Sequence, residues 1–392
     1  MPTLMLRPDR FAAGGDAVAR DDDGRVVFVR GALPGETVEA EVVTEKRDWA
    51  RARVTAVLVA SPDRVVPPCP SRRAGCGGCG WQHLTVEAQR AARVAIVTDA
   101  LRRAGGITDP LVVDGGGVAP FGYRTTVRVA ATADGRAGFR AEHTHDVVAA
   151  PACLIAHPRL AELVAGLRLD ADVEVTLRWS VAEGRAGARW DPSRGDVRGL
   201  PADTVTGAGG LLVEEVAGRR LQVAMGSFFQ SGPEAAARLV AAVLDAAPEL
   251  NGAATVVDAY AGVGMFAACA TDAPTRVFAV ETSRAAIADA RVNLADRDAA
   301  ISRGEVGGWR PPPGTTVDAV VADPARSGLG KPGVNALARL DAPVLVLVSC
   351  DPASLGRDAR LLGGAGYRHT RSEVIDTFPQ TTHVEVVSRF ER

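Results

Sequence analysis

One cysteine of the chain stands directly after an apolar run of the type that forms a buried strand. Residues 344–348 read Val-Leu-Val-Leu-Val and lead through Ser349 to Cys350. At the carboxyl end of a parallel strand a thiolate can meet a substrate, whereas most free cysteines are inert core residues. Cys350 is therefore a candidate nucleophile, with a core thiol as the structural alternative.

Two carboxylates stand in comparable places. Asp323 ends the apolar run 320–322 and is followed by Pro324, and Glu385 lies among apolar residues in His-Val-Glu-Val-Val. A carboxyl group in apolar surroundings has a raised pKa, which suits a base that removes a proton. Glu385 is the candidate base. A turn at a strand end and a surface glutamate on an edge strand are the alternatives.

A glycine turn between a strand and a helix indicates a cofactor site. Residues 256–259 run into Tyr260 and then Ala-Gly-Val-Gly, and Gly262 and Gly264 would let the backbone approach a ligand. Glu281 ends the next strand, and an acid about 20 residues after such a turn suits ribose hydroxyls. These features fit a dinucleotide or S-adenosylmethionine.

The third strand favours S-adenosylmethionine. Asp323-Pro324 stands where methyltransferases that hold a flipped base typically have an Asp-Pro-Pro motif. Ala325 replaces the second proline of that motif.

Four further cysteines suggest a metal centre. Cys69, Cys76 and Cys79 lie in one glycine-rich stretch, and Cys153 follows far downstream. Four thiolates suit either zinc or an iron–sulfur cluster, and the spacing does not choose between them. The sixth cysteine, Cys269, falls in an apolar helix and is expected in the core.

Composition limits the class of protein. With 392 residues, 47% hydrophobic and 23% charged, the chain should form two or three folded domains. The net charge of -2 is a weak argument against a nucleic-acid partner. Because no apolar run approaches the roughly 20 residues of a membrane span, we expect a soluble, cytoplasmic protein without a membrane partner.

The residue pattern predicts an α/β protein in three parts. Residues 1–60 contain three alternating runs between turn signals, which predict a small β-barrel. Residues 61–224 hold the cysteine-bearing stretch, a helix over 85–104 with Thr85 as N-cap, and a β-rich region. Residues 225–392 alternate helices with apolar strands, which predicts a parallel sheet of Rossmann-like type with helices on both faces.

The motifs together resemble the RNA uracil-5 methyltransferase family over nearly the whole chain. The resemblance lies in Ser-Cys-Asp-Pro-Ala-Ser-Leu-Gly-Arg-Asp from Ser349, His-Val-Glu-x-Val from His383, Asp-Pro-x-Arg-x-Gly from Asp323, and Phe-Phe-Gln-Ser-Gly-Pro-Glu from Phe228. Ala-Leu-Pro-Gly-Glu from Ala32 resembles the TRAM module, an RNA-binding barrel. Cys-x6-Cys-Gly-Gly-Cys with a later cysteine is similar to the bacterial 23S ribosomal RNA members that carry an iron–sulfur cluster.

The resemblance implies a reaction and its residues. Cys350 would add to carbon 6 of uracil, because carbon 5 alone is a poor nucleophile, and Glu385 would remove the proton from carbon 5. Residues that would bind S-adenosylmethionine are Gln230, Tyr260, Glu281 and Asp323, the last also meeting the uracil edge. A four-iron, four-sulfur cluster would be held by Cys69, Cys76, Cys79 and Cys153.

The chain departs from the family pattern in two places, and other functions remain open. Met265 stands where the family commonly has Asn, and Ser231-Gly232-Pro233 replaces its usual Asn-Pro. A transfer-RNA uracil methyltransferase is one alternative. The other alternative is an RNA-binding protein or ribosome assembly factor of reduced activity. Met265 and the acidic net charge favour it, and the retained Cys350, Asp323 and Glu385 oppose it.

Overall fold

The N-terminal region is a β-module. The computed structural model describes residues 2–142 and 144–392. The module's strands are β1 (Thr3–Leu6), β2 (Arg10–Phe11), β3 (Ala17–Arg20), β4 (Val26–Arg30), β5 (Thr37–Glu45) and β6 (Trp49–Val59). They form one sheet in the order β1-β5-β6-β4-β3-β2. Every second residue of β4 is buried, as expected where one face of a sheet covers a core. The three predicted strands of this region are confirmed.

A long helix follows the cysteine-bearing stretch. The elements here are α1 (Pro70–Arg73), α2 (Val86–Arg103) and β7 (Val112–Gly117). The Thr85 hydroxyl accepts a hydrogen bond from the Ala88 amide at 3.3 Å, so Thr85 caps α2 as predicted.

The central region is built on a second sheet. Its elements are β8 (Thr126–Ala131), β9 (Ala137–Arg140), β10 (Val147–Ala149), α3 (Pro158–Gly166), β11 (Arg168–Leu169), β12 (Glu174–Ser180), β13 (Arg185–Arg189), β14 (Val197–Arg198), β15 (Val205–Thr206), β16 (Leu211–Val216) and β17 (Arg219–Ala224). Six of these strands form the sheet β10-β9-β8-β12-β13-β15. The strands β16 and β17 form a separate hairpin that leads into the C-terminal region.

The C-terminal region alternates helices and strands. Its elements are α4 (Pro233–Ala246), β18 (Thr255–Ala259), α5 (Met265–Cys269), β19 (Arg276–Glu281), α6 (Arg284–Asn293), β20 (Asp298–Arg303), β21 (Ala319–Ala322), α7 (Gly330–Ala338), β22 (Val344–Ser349), α8 (Pro352–Gly364), β23 (Arg368–Asp376) and β24 (Val386–Glu391). The sheet order is β20-β19-β18-β21-β22-β24-β23-β7.

Both faces of this sheet are buried, as predicted. Val256 contacts one apolar cluster with α4, and its neighbour Val257 contacts a second cluster with α7 and α8 on the other face. The sheet is not wholly parallel, however. The five strands from β20 to β22 run parallel, but β24 pairs antiparallel with both β22 and β23. The last strand returns by a short connection, which permits only an antiparallel neighbour.

One segment of the expected central part joins the C-terminal sheet. Strand β7 pairs in parallel with β23 at the sheet edge, and α2 packs against α8. The boundaries at residues 60 and 224 stay predictions, but residues 86–117 pack with the C-terminal region in three dimensions. Among the described residues, no helix is long and apolar enough to cross a membrane.

Candidate active site

The glycine turn after β18 has the backbone geometry that its sequence predicts. Gly262 and Gly264 adopt φ values of +56° and +83°, and Gly264 is the residue at which α5 begins. A Cβ atom on Gly264 would lie 3.2 Å from Leu294, so glycine suits both the backbone angle and the space. Tyr260 also has a positive φ of +64°. The turn therefore opens at the carboxyl end of a central parallel strand.

Glu281 lies beside this turn at the end of β19. One of its carboxylate oxygens accepts a hydrogen bond from the Gly262 amide at 2.9 Å. The other oxygen accepts from the amides of Thr282 and Ser283, each at 2.7 Å. The side chain is half-buried, so its outer edge remains available to a ligand. These contacts hold the carboxylate against the glycine turn.

Strand pairing brings Cys350 and Glu385 together. Ser349 at the end of β22 pairs with Val386 at the start of β24, so the residues just beyond this pair, Cys350 and Glu385, are neighbours at the same edge of the sheet. Asp323 follows β21, which pairs in parallel with β22 through Ala322 and Leu347. Three strand ends thus bring a thiol and two carboxyl groups to one place.

The charges at this edge affect one another. Burial raises the pKa of the Cys350 thiol to about 11, and the charges of Glu385 and Asp323 add to the rise, whereas Arg326 lowers it. Burial also raises the pKa of Glu385 well above its ordinary value, with a further contribution from Asp323. The pKa of Asp323 rises to about 7 through burial, against a lowering by its hydrogen bond with Gln230. That bond is long, at 3.5 Å.

The loop cysteines form a second group of thiols. Cys69, Cys76 and Cys79 are buried and Cys153 is half-buried. Burial raises the pKa of Cys79 to about 12, and the other three thiols add to the rise, so all four lie near one another. In the part of the chain that the structure describes, no three His, Cys, Asp or Glu side chains are arranged to hold a metal ion, and the four-cysteine site stays a prediction.

Comparisons with known proteins agree with this architecture. The TRAM domain family matches residues 9–55. A Streptomyces avermitilis protein named as an RNA methyltransferase is 36% identical over 97% of this chain and 96% of its own length. The 23S rRNA (uracil(1939)-C(5))-methyltransferase of Halomonas elongata is 33% identical over 96% of this chain and 86% of its own length. The chain belongs to the RNA uracil-5 methyltransferase family.

A solved structure gives the same assignment of fold. The tRNA (uracil-54, C5)-methyltransferase of Pyrococcus abyssi, in complex with S-adenosyl-L-homocysteine, superposes with a TM-score of 0.73 over 98% of this chain and 99% of that chain. At 23% identity, this likeness shows that the two chains share their fold over nearly their whole lengths.

Tyr260, a predicted site residue, and Met265, a departure from the family pattern, have surroundings that the motifs did not reveal. The Tyr260 ring packs against the core on the α7 face of the sheet, and a Cβ atom on Gly333 would lie 2.8 Å from its hydroxyl. Burial, followed by the charges of Asp358 and Glu305, raises the pKa of Tyr260 to about 12. Met265, where the uracil-5 methyltransferase family commonly has Asn, is buried in the core on the opposite face.

Asp258 is a residue of this site that sequence reasoning missed. Its Oδ2 accepts a hydrogen bond from the Ala267 amide at 2.9 Å, and its Oδ1 has no partner among the described residues. Burial raises its pKa to about 7, and the charges of Asp323 and Glu281 contribute. The available signal was an acid in the last turn-proximal positions of an apolar strand, one residue before the end of β18 and four before Gly262.

Asp289 on α6 is a second residue that was missed. Its carboxylate accepts hydrogen bonds from the Ser227 hydroxyl at 2.6 Å and from the Ala224 amide at 2.9 Å. Ser227 begins the segment that carries the exposed Phe228 and the buried Gln230. Asp289 therefore holds the start of the Gln230 segment against α6. No local sequence signal links residues so far apart.

Proposed function

We propose that this enzyme transfers a methyl group from S-adenosylmethionine to carbon 5 of a uridine in 23S ribosomal RNA, through a covalent adduct with Cys350. The observation that carries the proposal is the pairing of Ser349 with Val386, which brings Cys350 and Glu385 side by side and so supports their proposed roles as nucleophile and base. The relatives named as 23S rRNA uracil-5 methyltransferases support the substrate.

The cofactor site in this proposal is the edge between β18 and β21. Gly262 and Gly264 let the backbone approach the ligand, Glu281 meets the ribose, and Tyr260, Gln230 and Asp323 complete the site. When bound, S-adenosylmethionine supplies an electrophilic methyl group on a positively charged sulfonium. Burial is the main cause of the raised pKa values of Asp258 and Asp323, and a bound cation such as a sulfonium would offset this cost by favouring the ionised carboxylates.

Cys350 acts first in the proposed mechanism. Its thiolate attacks carbon 6 of the uracil ring, the electron pair of the carbon 5–carbon 6 bond moves toward the ring carbonyl, and carbon 5 becomes nucleophilic. Carbon 5 then takes the methyl group. The exposed Arg326 favours the thiolate form, because its charge lowers the pKa of Cys350.

Glu385 completes the reaction. Its carboxylate removes the proton that remains on carbon 5, the double bond re-forms, and the Cys350 sulfur leaves with its electron pair. A carboxyl of raised pKa is the stronger base once it is ionised, and Glu385 is 5% exposed, so bulk water does not compete for it. Asp323 is placed in the proposal against the polar edge of the flipped base.

Methyl transfer to separated RNAs tests the proposal. The protein is incubated with methyl-labelled S-adenosylmethionine and either unmodified 23S ribosomal RNA or unmodified transfer RNA, and the product nucleosides are analysed. We expect 5-methyluridine in ribosomal RNA only. Label in transfer RNA alone would assign the second substrate class. Label in neither RNA would favour an RNA-binding protein or assembly factor without activity.

The four loop thiols are the ligands of a four-iron, four-sulfur cluster in this proposal. Their donor chemistry fits, because soft thiolates bind iron–sulfur clusters. Burial raises the pKa values of Cys76, Cys79 and Cys153, with a further contribution from neighbouring thiols, and a bound cation would offset that rise. The cluster would order the loop, with no electron transfer in the reaction. Anaerobically purified protein should be brown and contain iron and sulfide. Colourless protein with one zinc ion per chain would overturn this assignment.

The three parts have separate roles in the proposal. The TRAM domain within residues 1–60 and the central part, residues 61–224, contact RNA, and residues 225–392 bind the methyl donor. Since ribosomal RNA is the proposed substrate, the enzyme acts in the cytoplasm.

A further inference from the structure

The side chain of Arg93 on α2 is fully buried. None of it is exposed, and its guanidinium lies over the Trp81 indole at 5.2 Å from the ring centre. A buried guanidinium is costly unless every donor finds an acceptor. The hydrogen-bond acceptors of Arg93 therefore identify the part of the molecule that this guanidinium stabilises.

All the acceptors of Arg93 belong to one segment, residues 376–383. Nη1 donates to the Asp376 carboxylate at 3.0 Å, and Nε donates to the His383 carbonyl at 2.8 Å. Nη2 donates to the carbonyls of Phe378 and Thr381, at 3.1 and 2.7 Å. One side chain thus fastens both ends and the middle of this segment.

Gln89, one helical turn earlier on α2, holds the same segment. Its Oε1 accepts from the Gln380 amide at 2.7 Å, and its Nε2 donates to the Gln380 side chain at 3.2 Å. Gln380 has a φ of +71°, which is strained for a residue other than glycine. The segment lies between β23 and β24. Besides Arg93 and Gln89, the Tyr123 hydroxyl donates to its Pro379 carbonyl at 3.1 Å and the Ser231 hydroxyl donates to its Thr377 carbonyl at 2.9 Å.

Glu385 follows this segment directly. Within the described residues its carboxyl group makes no hydrogen bond, whereas its backbone carbonyl accepts from the Ile375 amide at 2.9 Å. The place of the carboxyl group is therefore set by the backbone on either side. On the N-terminal side, that backbone is held at His383 by Arg93.

We propose that Arg93 is a positioning residue for Glu385, which acts by fixing residues 376–383 so that the carboxylate meets the proton on carbon 5. The inference rests on the proposed function. Trp81 extends the connection to the cysteine-bearing stretch, because its amide donates to the Gln380 carbonyl at 3.0 Å. Residues 376–383, which precede Glu385, are thus held by α2 and by Trp81, which follows Cys79 and Gly80.

The first test measures the segment itself. Amide hydrogen exchange is compared between the parent and Arg93→Gln, with Arg103→Gln as control. Arg103 is on the same helix, and among the described residues its exposed side chain forms an ion pair with Asp99 alone. We expect amides of residues 377–385 to exchange about tenfold or more faster in Arg93→Gln, and those of β21 and β22 to be unchanged. Unchanged exchange in 377–385 would overturn the inference, whatever the activity.

The second test measures the step. We expect Arg93→Gln to lower kcat about 100-fold, as misplacement of a reacting group does, and to leave the KM for S-adenosylmethionine unchanged. With RNA deuterated at carbon 5 of uridine, we expect the same variant to raise the isotope effect on kcat. Arg93→Lys keeps the positive charge but loses the planar guanidinium with its several N–H donors, so it should show a smaller change of the same kind. A loss of activity with an unchanged isotope effect, in both variants, would assign Arg93 a purely structural role.

The two tests separate this inference from the function beneath it. A parent protein that methylates no RNA contradicts the proposed function, but hydrogen exchange still decides whether Arg93 holds the segment. An active parent whose Arg93 variants show neither faster exchange nor a raised isotope effect contradicts the inference alone.

Discussion

Cys350 and Cys79 are the same side chain in two different settings. Both have a raised pKa, about 11 for Cys350 and about 12 for Cys79, and in both cases burial is the main cause. The neighbours differ, however. Cys350 is half-buried beside two carboxyl groups, and the cation of Arg326 favours its ionised form, whereas Cys79 is buried among other thiols.

In the proposed function, this difference separates a reactive thiol, Cys350, from a metal-binding one, Cys79. A nucleophile needs an open side and a nearby charge that can favour the thiolate. No cation contributes to the pKa of Cys79 among the described residues, so a metal centre would have to supply the charge that ionises this thiol near neutral pH, which is the condition of a structural site. The number of cysteines does not distinguish these roles, but their surroundings do.

Removal of the Cys350 sulfur should have the largest effect. We expect Cys350→Ala to lower methyl transfer about 10⁴-fold or more, as loss of a covalent nucleophile does, while binding of S-adenosylmethionine is retained. Methyl incorporation and calorimetric binding measure the two effects. Cys269→Ala is the matched control, because this half-buried thiol packs against the apolar core and donates to the Val216 carbonyl at 3.6 Å. Near-normal turnover of Cys350→Ala would contradict the mechanism.

Neutralising Glu385 should stop the reaction after the adduct has formed. We expect Glu385→Gln to lower turnover about 10²- to 10⁴-fold and to accumulate a protein–RNA adduct that survives a denaturing gel. Glu391→Gln, on the same strand but paired with Arg368 and Arg389 at the surface, should form no such adduct. If Glu385→Gln turns over normally, another group is the base.

Affinity for S-adenosylmethionine should depend on pH. The pKa values of Asp258 and Asp323 are raised to about 7, so both carboxyls take up protons as the pH falls through that value, and the attraction for a sulfonium is lost. We therefore expect the Kd, measured by calorimetry, to rise between about pH 8 and about pH 6, by at most about tenfold per pH unit for each proton. Asp258→Asn should flatten the dependence. A Kd independent of pH would contradict the assigned charges.

The smallest effect on methyl transfer is expected from the loop thiols. Cys79 packs against Val118, Tyr123 and Ile155, so Cys79→Ser should lower the free energy of unfolding by about 1–3 kcal/mol and remove the iron–sulfur absorbance. The remaining folded protein should still form the Cys350 adduct. Denaturant unfolding and visible spectra measure this, with Cys269→Ser as control. Absorbance that survives in Cys79→Ser would exclude Cys79 as a ligand.

Local elements follow from the sequence because their signals are local. The N-cap at Thr85 and the burial of residues 344–348 each depend on neighbours within a few positions, and both are confirmed. The positive φ at Gly264 follows in the same way from the turn that it occupies. Such local features are enough to predict that Cys350 and Asp323 lie at the ends of strands.

The sequence by itself therefore determined the elements, the family and the residues that could react. Only the tertiary structure decided that β24 returns antiparallel, so that Glu385 comes beside Cys350, and that β7 and α2 join the C-terminal sheet. Arg93 meets its carbonyl partners across some 285 to 290 residues of chain. Hydrophobic periodicity reports which side of an element is buried, but not which distant segment covers it, and that choice is made by packing.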